Sequence, residues 1–83
     1  MLNKAKNSLS LLSYMGISLS GMDFSKIKVP GATLQGSFMQ GTNFNGADLR
    51  DCDFRKAFME DANFKEAKIE GAKFERQVIE TQQ

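Results

Sequence analysis

Side chains able to do covalent or acid–base chemistry are scarce in this chain. There is no histidine, and Cys52 is the single cysteine. A Ser/His or Cys/His pair, a zinc cluster and a disulfide framework all lack their parts. Asp51, Glu60, Asp61 and Glu66 are scattered rather than set around one pocket, so general acid–base catalysis by paired carboxylates is not expected. No catalytic, cofactor-binding or metal-ligating residue is assigned, and no enzyme activity is expected. What the residues offer instead is binding. Phe38 and Phe58 lie twenty positions apart, and Val78 lies twenty further on. If these fall in one outward column, they form an apolar stripe on a polar surface, where another protein can dock. Two structural roles compete with docking. The N-terminal segment or the C-terminal tail can cover the stripe, or a twist can turn Phe38 and Phe58 inward and Met39 and Met59 outward.

Bulk properties narrow the partner. With 83 residues the chain makes one small domain at most. Eleven basic and ten acidic residues leave a net charge of +1. Neither a strongly basic nucleic-acid binder nor a strongly acidic nucleic-acid mimic is the default at that balance. Among Lys26, Arg50, Arg55, Lys56, Lys65, Lys68, Lys73 and Arg76, four (Arg50, Arg55, Lys68 and Lys73) have an acidic residue twenty positions away, so only weak, salt-sensitive nucleic-acid binding is expected of the set. No run approaches ~18 consecutive apolar residues, so no membrane span is expected.

The elements that must position Phe38 and Phe58 follow from a repeat. Cut every five residues from Ile17, the chain reads ISLSG, MDFSK, IKVPG, ATLQG, SFMQG, TNFNG, ADLRD, CDFRK, AFMED, ANFKE, AKIEG, AKFER, QVIET. The third position is large and apolar throughout, from Leu19 to Ile79. The first is small from Ala32 to Ala72. All seven glycines fall in the fifth position. A period of five suits neither a helix nor a strand. It suits a chain that turns a corner every five residues, with positions one and three pointing inward and the fifth beside the corner, where glycine accepts positive φ. Four such sides close a coil of twenty residues, and coils stack at about 4.8 Å.

The pattern A-(D/N)-L-x-x, matched closely by ADLRD (47–51) and ANFKE (62–66) and nearly by CDFRK, TNFNG and ATLQG, resembles that of the pentapeptide-repeat family. The resemblance covers residues 17–79. It implies an all-β fold, a right-handed quadrilateral β-helix. Ile17, Met22 and Ile27 are too large for the small-residue column, so the first coil is expected to be wider, with the regular part running from about 30 to 76.

Twenty-residue stacking makes Lys28, Asp48 and Lys68 one column and sets Arg50 against Glu70, Asp53 against Lys73, and Arg55 against Glu75. Lys56 over Arg76 is the exception. These charges read as a self-paired, solvated surface. Asp23, Asn43 and Asn63 form a further column, and Cys52 is expected to be an inert inward thiol.

Leu2, Ala5, Leu9 and Leu12 recur at helical spacing before Gly16. Residues 1–16 are thus expected to be a short helical cap seated on Ile17, Met22 and Ile27, followed by the repeat (17–79) and a tail (80–83). A signal peptide is the rival reading of Lys4, Lys6 and LSLLSYMGI. Serines dilute that run and no A-x-A site follows, so a reducing cytoplasm is expected.

The functional expectation is a non-enzymatic scaffold binding an unidentified protein through an exposed side or a coil end, with homodimerisation through the C-terminal coil possible. The alternative, implied by the resemblance, is a DNA-mimic inhibitor or protector of a type II topoisomerase, which needs a long acidic rod.

Overall fold

The computed structural model describes residues 4–75, with side chains in the N-terminal helix described from Asn7. That helix, α1 (Lys4–Tyr14), ends at a glycine, as expected. Gly16 takes φ +79° and donates its N–H to the Ser13 carbonyl at 3.0 Å, while Ile17 donates to the Leu12 carbonyl at 3.0 Å. This pair of bonds is a Schellman cap, which satisfies carbonyls the helix leaves open. Leu9 is buried, and Leu12 packs against the same core. Leu2 lies outside the described residues.

From Leu19 onward the backbone turns every five residues. The N–H of each first-position residue donates back to the carbonyl three residues earlier, as in Ala47 to Phe44 at 3.0 Å and Cys52 to Leu49 at 3.1 Å. Between them the fifth-position residue has φ near +60 to +80°. Glycine takes that conformation without a Cβ penalty. Five other residues also take it: Lys26, Asp51, Lys56, Asp61 and Glu66.

Twenty-residue stacking appears as parallel bridges, among them Asp23↔Asn43, Lys28↔Asp48, Thr33↔Asp53, Phe38↔Phe58 and Asp53↔Lys73. Third- and fifth-position N–H groups donate to the next coil, as in Met39 to Phe58 O (2.8 Å) and Gly41 to Glu60 O (2.8 Å). Second-position N–H groups donate to the previous coil, as in Phe58 to Ser37 O (2.9 Å). The strand content differs from an ordinary all-β domain. Each turn interrupts pairing after a single residue, so the described residues carry isolated bridges and no extended strand or sheet.

Inward positions form the core. Leu19, Val29, Leu34, Met39, Phe44, Leu49 and Phe54 are fully buried, as are Ala32, Thr42, Ala47 and Cys52 from the small-residue column. Rings stack along the coil axis, with centroids 5.4 Å apart for Phe44–Phe64 and 5.2 Å for Phe54–Phe74. Neighbouring columns meet edge-on, as in Phe54–Phe64 at 80°. Both arrangements favour the aromatic quadrupole. Buried hydroxyls are satisfied by the backbone: Thr42 Oγ1 donates to Leu19 O and Ser37 Oγ to Leu34 O, each at 2.7 Å.

The top coil differs from expectation in one respect. Ile27 packs on the core, but Ile17 and Met22 are each 45% exposed, so α1 does not cover them. Ser10 Oγ instead accepts the Thr33 backbone N–H at 3.0 Å. By the register below, a preceding coil would supply that acceptor.

Candidate protein-docking face

The face built from residues 37–39 and 57–59 carries Phe38 and Phe58. Ser37 and Met39 are buried, so the residue between them must point away from the core. Met59 likewise packs inward, which excludes the twist that would have exchanged Phe and Met. The two rings stack at a centroid distance of 5.1 Å, only 7° from parallel. They remain 43% and 46% exposed. Val78 lies outside the described residues.

The corners beside this face differ in charge. Before it, Gln35 and Gly36 stack on Arg55 and Lys56; after it, Gln40 and Gly41 stack on Glu60 and Asp61. Arg55 is already engaged: its Nε and Nη2 donate to the two Asp53 oxygens at 2.9 and 2.8 Å. That fork holds the Asp53 carboxyl down at about 2, with a smaller contribution from Lys73. Lys56, Glu60 and Asp61 are exposed.

The same fork joins Arg50 to Asp48, at 2.8 and 2.7 Å, and lowers the Asp48 carboxyl to about 2. These pairs correct the expected partnership. Arg50 and Arg55 close on the aspartate two residues earlier in their own coil, whereas Glu70 and Glu75 act on them only as more distant charges. The reason is reach: an extended backbone sets residues i and i+2 on one face, close enough for a bidentate guanidinium–carboxylate contact.

Sequence reasoning also missed what the second-position Asp and Asn do. Each accepts the backbone N–H two residues on: Asp23 from Ser25 (3.0 Å), Asn43 from Asn45 (2.9 Å), Asp53 from Arg55 (3.1 Å) and Asn63 from Lys65 (2.9 Å). These Asx turns brace the corner. The recurring D/N in the second position was the available signal. The amide column is weaker, with Asn43 Nδ2 donating to Asp23 Oδ1 at 3.4 Å.

Cys52 is buried, donates to the Val29 carbonyl at 3.1 Å, and has its thiol pushed up by burial. A groove of about 430 Å³ lies beside the coil, between α1 (Asn7, Ser10, Leu11, Tyr14) and Thr33 and Gln35. It presents hydroxyls and amides but no carboxylate or amine. Among the described residues no group of carboxylates and cysteine could hold a metal ion. No helix among them is long and apolar enough to cross a membrane.

A five-residue turn period, a buried small-residue column and a twenty-residue bridge register define a repeat protein. The pentapeptide repeat region profile matches residues 8–83, and the chain belongs to the pentapeptide repeat family. No curated protein matches the chain.

Proposed function

We propose that the stacked coils form a right-handed quadrilateral β-helix over residues 17–79, capped by residues 1–16, and that the chain is a non-enzymatic scaffold or interaction module. It binds another protein through the face that carries Phe38 and Phe58, with Val78 extending the column by register. The observation behind this reading is the pair of parallel phenylalanine rings, nearly half exposed, on a side of the coil flanked by polar and charged corners. Apolar contact there removes aromatic area from water at about 25 cal/mol per Å². The single cysteine, buried and unpaired, fits a reducing cytoplasm. Self-association through the coil that carries half-exposed Ile69 and Phe74 is a second route to assembly.

A pulldown with wild-type chain and a Phe38→Ser/Phe58→Ser double variant tests the reading. Partner capture lost in a variant that keeps the wild-type melting profile supports it; equal capture by both refutes it. A topoisomerase role has less physical support, because Arg50 and Arg55 sit directly on Asp48 and Asp53 and break any acidic stripe. Supercoiling by gyrase unaffected by added protein is the expected result.

A further inference from the structure

We propose that the Phe38–Phe58 face binds a second copy of this chain, through a two-fold axis parallel to the axis of the coil stack. This rests on the reading that the face is a contact surface and names its occupant. The face is self-complementary in one orientation only. Its midline carries the stacked rings of Phe38 and Phe58. One flank presents Lys56, and the opposite flank, on the same coil, presents Glu60 and Asp61. When two such faces meet about an axis parallel to the stack, left and right exchange and height is kept. Lys56 of each copy then lies opposite Glu60 and Asp61 of the other, and Phe38 and Phe58 meet their own equivalents. An axis running across the stack exchanges height but not left and right. It sets lysine toward lysine and acid toward acid. Charge thus selects side-by-side, parallel copies.

The size of the face fixes the strength. Three extended residues span about 10 Å, and the aromatic pair covers two coils. The contact falls below the ~800 Å² per partner of a standard stable interface. Association is therefore weak, reversible and sensitive to salt.

Sedimentation velocity of the full chain over a wide concentration range tests this. Wild type should shift from monomer toward dimer as concentration rises. Phe38→Ser/Phe58→Ser, Lys56→Glu, and Glu60→Lys/Asp61→Lys should each weaken association at least ten-fold. An equimolar mixture of the last two should restore it, because one then presents only acid and the other only base around the rings. The charge changes respect the backbone: Glu66 already occupies a fifth position at φ 61° and Lys26 one at φ 62°. A monomeric wild type at all concentrations overturns the proposal, even if the pulldown partner still requires the phenylalanines. A dimer insensitive to every variant also overturns it, and points to the coil bearing Ile69 and Phe74. Failure of the mixture to associate overturns the charge pairing, and a dimer lost with the phenylalanines but indifferent to Lys56→Glu overturns the parallel orientation.

Discussion

Asp53 holds Arg55 three times over: its carboxylate accepts from Nε at 2.9 Å, from Nη2 at 2.8 Å and from the Arg55 backbone N–H at 3.1 Å. One side chain thus closes a corner and neutralises the cation that the corner exposes. The Asp48–Arg50 pair repeats the device one corner earlier.

The pH dependence of stability follows from these pairs. Both carboxyls sit at about 2 in the folded chain, against an ordinary value near 3.9. A depressed folded value means the contribution is complete above about pH 4 and fades as pH falls toward 2. The arginines are half exposed, so solvent screening keeps the contribution of each pair small. Urea unfolding at pH 7 and pH 3 should show a modest loss at the lower pH. Asp53→Asn, which keeps an acceptor for the corner, should reduce that difference.

Phe44 touches three other rings and is fully buried. Phe44→Ala should cost about 3–5 kcal/mol, a large part of the stability of so small a domain. Phe58→Ala, at the exposed face, should cost far less. Thermal melts of the two variants compare them directly.

The fifth-position residues make opposite predictions by type. Glu66 holds φ 61°, so Glu66→Gly should stabilise by about 1 kcal/mol. Gly36→Ala introduces only the backbone strain, because open space surrounds the new methyl. Gly71→Ala also requires the Asp51 carboxylate, the tip of an exposed side chain, to turn aside, which adds little to the same backbone strain. Chemical denaturation should place Glu66→Gly above wild type and the two alanine variants below it by similar amounts.

Ser10→Ala should loosen α1 on the coil by leaving the Thr33 N–H without its acceptor, while Leu9 and Leu12 still hold the helix. A loss of about 1 kcal/mol is expected. Faster amide exchange at Thr33, with the lower coils unchanged, is the signature.

Cys52 should react with a thiol reagent only as fast as the chain opens, since burial both hides the sulfur and disfavours thiolate. Rapid labelling of native protein would contradict its inward position.

Periodicity made the inward residues legible. Phe44, Leu49 and Phe54 had to share a core because no other five-residue arrangement hides them all. The same alternation put Phe38 and Phe58 outward but left open a twist exchanging them with Met39 and Met59, which the inward packing of both methionines closes. The partners of Arg50 and Arg55 did not follow. Two geometries, one coil away or two residues back, satisfy the same charges, and only side-chain reach decides between them. Nor did the exposure of Ile17 and Met22, which depends on where a short helix rests rather than on which residues are oily. The Asx turns are written in the second-position Asp and Asn, but the same residues also stand in a column one coil apart, and composition alone does not rank the local bond above the cross-coil one.

The register of backbone bonds constrains how such a chain can be edited. A third-position amide always finds the carbonyl nineteen residues ahead, as Leu19 finds Phe38, and a second-position amide the one twenty-one behind, as Asn43 finds Met22. Duplicating or excising twenty residues leaves these distances intact and merely lengthens or shortens the stack. Inserting a single pentapeptide between Phe38 and Phe58 keeps every corner legal yet rotates all later residues by one quarter of a circuit. The two rings would then look out over different neighbours, and the proposed docking stripe would vanish while the interior stayed filled.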